Sequence, residues 1–245
     1  MSKEKLIIAL DVPGAPEARA IVSELGDSVG AFKIGLQLFT AAGPEFVKEV
    51  VGLGHRVFLD LKFHDIPNTV AMAGVEAARL GVWMFNVHTL GGGEMVRRTV
   101  DQVDAACKKE NLTRPLVIGV TVLTSSDQNT MSEVGIAADL DTEVLNLAKL
   151  ASKYGLDGVV ASPMESSAIR TEFPDRDFVI VTPGIRSIAA TNDDQKRVTT
   201  PAAAFAAGAD FIVIGRPVTQ APDRRAAVEE ILQDIETAEP HRPSP

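Results

Sequence analysis

The chain has 245 residues, 45% hydrophobic, 23% charged and 5% aromatic, with 24 Lys+Arg against 33 Asp+Glu and a formal net charge of −9. That apolar share supplies a full core and excludes intrinsic disorder, while no run approaches the ~18 consecutive apolar residues of a membrane helix. The acidic balance speaks against a nucleic-acid partner, and the lone cysteine, Cys107, makes no intrachain disulfide, so a cytoplasmic protein is expected.

In chain order, Met1-Ser2-Lys3-Glu4-Lys5 leads into Leu6-Ile7-Ile8-Ala9-Leu10 and then Asp11, an apolar run too short for a signal peptide. Eight short apolar or β-branched runs follow one another: 6–12, 31–36, 56–63, 83–88, 116–123, 158–161, 178–181 and 211–214. Several are apolar at consecutive positions, as parallel strands covered on both faces should be. Helical periodicity lies between them. Met95, Val96, Thr99, Val100, Val103 and Cys107 fall on one face of the fourth helix. In the last, Pro222 suits the first turn, and Val228, Leu232 and Ile235 form the apolar stripe. Eight strand–helix units predict a closed (β/α)8 TIM barrel over residues 1–237, with a doubly wound open sheet as the alternative. The tail, 238–245, is expected to fray.

The C-terminal ends of the strands are where such a barrel places its chemistry. The polar residues at those ends are Asp11, Lys33, Asp60, Lys62, Asp65, Asn86, His88, Thr124, Pro183, Arg186, Gly215 and Arg216. Strand side chains alternate, so Asp60 and Lys62 point to one face while Leu59, Leu61 and Phe63 take the helix side. A charged pair aimed inward is costly unless partners or a ligand match it. With Lys33 and Asp65 it forms an alternating array that keeps Lys62 protonated and suits it as a proton donor. The loops after strands seven and eight are the usual phosphate site of these barrels. There Pro183-Gly184-Ile185-Arg186 opens a loop through 187–194, a small, polar, lid-like stretch that runs to Gln195. Gly215 lets a backbone N–H approach a phosphate, and Arg216 offers a bidentate grip.

Other conspicuous residues have plainer readings. Cys107 sits on a core stripe, and His55 precedes a strand and reads as surface. His64 points away from Asp60 and Lys62, and His88 reads as a hydrogen-bonded structural histidine at the mouth. Gly91-Gly92-Gly93 lacks the Lys and Ser/Thr of a P-loop. No cluster has metal-ligand spacing and no dinucleotide fingerprint follows a strand, so no cofactor is expected.

Across nearly its whole length the chain resembles the orotidine 5′-phosphate decarboxylase family, in its short bacterial form. The likeness rests on Ala9-Leu10-Asp11, Phe32-Lys33-Ile34-Gly35, Asp60-Leu61-Lys62-Phe63-His64-Asp65-Ile66-Pro67-Asn68-Thr69 and Asn86-Val87-His88. It continues in Val122-Leu123-Thr124-Ser125, Pro183-Gly184-Ile185-Arg186, Asp194-Gln195-Lys196-Arg197-Val198 and Ile214-Gly215-Arg216. A wider group of sugar-phosphate barrels shares Asp-x-Lys-x-x-Asp; the longer motif with Thr69 and the Arg186/Gln195 loop are more specific.

The resemblance implies a cofactor-free decarboxylation of orotidine 5′-phosphate to UMP, the last step of de novo pyrimidine synthesis. It implies that Lys62 protonates C6 as CO2 leaves, beside Asp60, with Lys33 and Asp65 completing the array. Asp11 and Lys33 hold the ribose, Thr124 and Ser125 meet the base, and Gln195, Gly215 and Arg216, with Arg186 alongside, hold the phosphate. Asp65 and Thr69 come from the neighbouring subunit of a homodimer. Two rival readings are a metal-dependent hexulose-phosphate synthase or ketogulonate-phosphate decarboxylase, which as relatives bind Mg2+ through a strand-two carboxylate, and a silent UMP-binding barrel.

Overall fold

The computed structural model describes residues 2–175, 177–185 and 199–238. Eight parallel strands, β1 Leu6–Ala9, β2 Ala31–Gly35, β3 Val57–Phe63, β4 Met84–His88, β5 Leu116–Val120, β6 Gly158–Val160, β7 Val179–Pro183 and β8 Phe211–Ile214, pair in chain order. β8 returns to β1 through Leu6–Ile212, Ile7–Val213 and Ile8–Ile214, closing the (β/α)8 barrel. The helices are α1 Ala15–Leu25, α2 Leu36–Gly52, α3 Pro67–Arg79, α4 Gly92–Glu110, α5 Gln128–Glu133, α6 Leu140–Lys153, α7 Pro163–Glu172, α8 Pro201–Ala206, α9 Arg216–Thr219 and α10 Arg224–Ala238. Among the described residues no helix is long and apolar enough to cross a membrane.

Alternation along the strands divides the core into two layers. Ile7, Ala9, Ala31, Phe58, Met84, Ile118, Val181 and Val213 fill the barrel interior. Leu6, Ile8, Phe32, Ile34, Leu59, Phe85, Val117 and Val159 face the helices in a second, larger cluster. Strands buried on both sides therefore read as continuous apolar runs. Two runs extend three residues past their strands: 10–12 and 121–123 leave the sheet, and Asp11, Val122 and Leu123 among them line the barrel mouth.

On α4 all six periodic residues are buried, Cys107 among them, and burial pushes its thiol pKa up. On α10 the buried stripe is Val228, Ile231 and Ile235, with Leu232 only partly covered. Pro222 precedes that helix instead of occupying its first turn. His55 is half-buried, its ring edge-on to Phe32 at 5.6 Å, because β3 begins only at Val57 and the histidine packs under the barrel wall. The glycine run also has a packing explanation. A side chain at Gly91 would meet the Met95 thioether, one at Gly93 the Tyr154 ring, and Gly92 has φ +84°. Ala238 ends α10, and the rest of the expected tail, 239–245, lies outside the described residues.

One glycine controls barrel closure directly. A methyl group at Gly158 of β6 would land on the backbone carbonyl oxygen of Val179 in β7. That oxygen cannot rotate away, so the strands must part. Gly158→Ala is expected to cost about 1–3 kcal/mol, read as a lower urea midpoint at unchanged slope. An unchanged midpoint would contradict the close approach.

Candidate active site

At the C-terminal ends of the strands an open cleft of about 660 Å3 lies over the barrel interior, within the usual size of small-molecule sites. Its polar lining is Asp11, Lys33, Asp60, Lys62, Thr124, Arg216 and Gln220, set among apolar side chains such as Phe58, Val120 and Leu123. Four of those polar groups form one chain of charge. The Lys33 ammonium lies 2.9 Å from Asp11 Oδ1 and 3.3 Å from Asp60 Oδ2, and the Lys62 ammonium lies 2.6 Å from Asp60 Oδ1. Lys33 and Asp60 are each only 8% exposed, whereas Asp11 stands at the rim.

Burial opposes the charge on Asp60, but Lys33 and Lys62 outweigh it and hold its carboxyl below the usual aspartate range. Burial likewise opposes the Lys33 ammonium, and Asp60 and Asp11 outweigh that, keeping its pKa above the ordinary lysine value. Each charge is tolerable only because the other is present.

The local backbone that delivers this pair is irregular. Leu59 of β3 pairs with Phe85 of β4, and the next match is Phe63 with Val87, so Asp60, Leu61 and Lys62 together oppose the single residue Asn86. Two surplus residues keep the parity of the strand, so Asp60 and Lys62 still face inward while Leu59, Leu61 and Phe63 pack on the helix side. Lys62 takes up the surplus at φ +51°, a left-handed conformation that costs a non-glycine residue about 1–2 kcal/mol. Asn86 bridges the bulge: its Oδ1 accepts the Lys62 backbone N–H at 2.8 Å, and its Nδ2 donates to Asp60 Oδ1 at 2.7 Å. No role for Asn86 follows from the motif that contains it. The signal that could have found it is an amide at an inward strand position, two residues beyond the buried Met84.

The remaining expected residues divide. Thr124, Pro183, Gly215 and Arg216 line the same cleft, Arg216 as the first residue of the short helix α9. A methyl group at Gly215 would make only ordinary contacts, 3.5 Å to Ala9 and 3.8 Å to Asp11. Glycine there leaves cleft space open and relieves no clash. Ser125 is exposed and does not line the cleft with Thr124.

Asp65 and Thr69 are exposed and do not line the cleft. The expected Asp65 member of the array is thus not assembled within one chain: β3 stops at Phe63, and the Asp65 carboxylate accepts the Ile66 N–H at 2.6 Å instead. Arg186, Gln195 and the expected lid, 187–194, lie outside the described residues.

His88 differs from its expected hydrogen-bonded state. Its buried Nδ1 has no hydrogen-bond partner among the described residues, and its ring lies 5.4 Å from that of the exposed His64. Burial, with His64 and Lys62 nearby, holds its pKa below the ordinary histidine value despite the opposing pull of Asp60.

A closed parallel barrel with a charged cleft at its C-terminal mouth defines a TIM-barrel enzyme architecture. The profile of the "Orotidine 5′-phosphate decarboxylase / HUMPS family" matches residues 4–231, and the chain belongs to that family. An orotidine 5′-phosphate decarboxylase of Geobacter sulfurreducens is 53% identical over 234 residues, covering 96% of this chain and 97% of its own. One from Syntrophomonas wolfei is 48% identical over 237 residues, covering 96% of this chain and 99% of its own. The crystal structure of orotidine 5′-phosphate decarboxylase from Lactobacillus acidophilus superposes with a TM-score of 0.82 at 38% identity, over 94% of this chain and 98% of that one.

The charge array has a pH signature. With its pKa depressed in the folded state, Asp60 adds stability that is present above the unfolded aspartate value of about 3.9 and is lost as pH falls through the folded value. Lys33→Met removes one of the two cations, so the Asp60 pKa rises and the loss sets in at higher pH. The variant is expected to be about 3–5 kcal/mol less stable at neutral pH. Thermal melting between pH 3 and 7 reads both effects; an acid limb superimposable on the wild type would remove Lys33 from the array.

Proposed function

We propose that this protein decarboxylates orotidine 5′-phosphate to UMP and CO2, closing pyrimidine nucleotide synthesis, through its Lys33–Asp60–Lys62 array. That array, on the floor of the cleft in a chain 53% identical to a named decarboxylase, carries the reading. The family description also covers the HUMPS branch. Lys33 favours the decarboxylase branch, because the metal-dependent sugar-phosphate relatives place a carboxylate on strand two to hold Mg2+.

The substrate carboxylate lies against Asp60, like charge beside like charge. When the C6–carboxylate bond breaks, its electron pair stays on C6, a position from which no ring carbonyl readily withdraws it. Each tenfold of rate requires about 1.4 kcal/mol of selective transition-state stabilisation. The Lys62 ammonium supplies it by facing the growing negative charge, and its proton then moves to C6, leaving a neutral amine and UMP. Asp11 and Lys33 take the ribose hydroxyls, Thr124 and Ser125 the base, and Gly215 and Arg216, with Arg186 and Gln195, the phosphate. Phosphate binding, remote from the reacting carbon, offsets the cost of crowding charges around it.

The site is completed by a second copy of the chain, which contributes Asp65 and Thr69. The exposure of both residues supports this, as do the bare apolar side chains around the mouth, Leu36, Ile66, Leu90 and Leu123, 41–68% exposed. The reaction is placed in the cytoplasm, where the lone thiol of Cys107 stays reduced.

The purified protein is expected to consume orotidine 5′-phosphate, followed at the orotate absorbance band, equally well with and without EDTA. Lys62→Ala should lower kcat by more than about 10³-fold while the variant still binds UMP. Persistence of the substrate band with wild-type protein would sink the reading, and activity lost to EDTA and restored by Mg2+ would favour the HUMPS branch.

Subunit mixing tests the shared site separately. Lys62→Ala and Asp65→Ala proteins, each inactive, are unfolded, mixed in equal amounts and refolded together. Half the dimers are then mixed and carry one intact site each, so the sample should regain about a quarter of wild-type activity. No recovery, from subunits that individually refold and dimerise, would place Asp65 in its own subunit's site.

A further inference from the structure

We propose that Asn86 is a positioning residue that sets Lys62 and Asp60 in reacting geometry without touching the substrate; this rests on the decarboxylase reading above. Asn86 is 1% exposed and absent from the cleft lining, whereas Asp60 and Lys62 both reach the cleft. Its two hydrogen bonds leave in opposite chemical senses. The carbonyl accepts from the Lys62 backbone, and the amide nitrogen donates to Asp60 Oδ1, the same oxygen that receives the Lys62 ammonium.

That arrangement admits one amide orientation. Turned over, Asn86 would aim its NH2 at the Lys62 N–H and its carbonyl at a carboxylate, two repulsive contacts replacing two bonds. The bulge explains why one residue controls both partners. Asn86 is the only β4 residue opposite Asp60, Leu61 and Lys62, so the backbone N–H that the bulge removes from the ladder bonds to its side chain instead. That N–H belongs to Lys62, the residue at positive φ. Without the acceptor, Lys62 loses the bond that holds it in the left-handed region, and its ammonium is re-aimed. Without the donor, Asp60 loses a bond that fixes its carboxylate and favours its ionised form.

The titratable groups around Asp60 are Lys33 of β2, Lys62 of β3 and His88 of β4, with Asp11 behind Lys33. Asn86 is the neutral donor in this set. A carboxylate in its place keeps the acceptor for Lys62 but sets like charge against Asp60. A leucine, with the same branched skeleton, removes both bonds.

The test compares wild type, Asn86→Leu and Asn86→Asp in steady-state turnover of orotidine 5′-phosphate, in UMP affinity and in the pH dependence of kcat/KM. Asn86→Leu is expected to lower kcat by about a hundredfold, the effect of misplacing a catalytic group by an ångström. UMP affinity should stay within about threefold, because Asn86 touches none of the proposed phosphate, ribose or base contacts. Asn86→Asp, near-isosteric and fit to test if the leucine variant does not fold, should move the acid limb of kcat/KM upward by about one pH unit. A purely structural role would lower stability and leave kcat per folded molecule and the pH limb alone; that result overturns the proposal.

Carbon-13 NMR titration of the Asp60 carboxyl, with UMP absent, gives an answer independent of turnover. The proposal requires a raised Asp60 pKa in Asn86→Leu, and an unchanged value refutes it. Inactive wild-type protein would refute the decarboxylase reading instead, and the NMR result would still decide whether Asn86 governs Asp60.

Discussion

Everything at the barrel mouth depends on keeping Asp60 ionised where water hardly reaches it. A carboxylate in that setting survives only with cations and donors on several sides. Here they come from β2 (Lys33), from two residues further along β3 (Lys62) and from β4 (Asn86), while β1 leads into Asp11, which balances Lys33. No single secondary-structure element can surround a point in this way. The closed sheet can, since inward positions of consecutive strands lie side by side on its inner surface. The apolar interior beneath, Phe58, Met84 and Ile118 among it, keeps the floor dry and strengthens every interaction above it.

Much of this was legible in the sequence, for identifiable reasons. Strands covered on both faces declare themselves as short continuous apolar runs, so all eight were located within a few residues. Inward charge at Asp60 and Lys62 followed from alternation against the apolar Leu59, Leu61 and Phe63. The bulge did not follow from it, because a register slip of two residues leaves no trace in a period of two. The role of Asn86 was hidden for the same reason: it depends on which residues of β4 lie opposite β3, and registry is a property of the pair. The burial of His55 does not follow from its place before a strand, because it is set by the distant Phe32.

Net charge was the least informative global quantity. A value of −9 describes the outer surface, where carboxylates outnumber cations, and says nothing about a cleft in which two lysines and an arginine are gathered beside two aspartates. The field that a bound anion feels is set within the first few ångströms. An acidic protein and an anionic ligand are therefore compatible whenever topology concentrates the cations.

The bulge in β3 also restricts how the length of this segment can vary. Removing or inserting one residue among Asp60, Leu61 and Lys62 would exchange the two faces of the strand end, sending a charge into the helix layer and a leucine into the cleft. A change of two would preserve the faces and alter only how far the strand arches away from β4. For chain length, then, this stretch obeys an even-number rule: its variation is read in pairs of residues, while the loops on either side of it are free of that arithmetic.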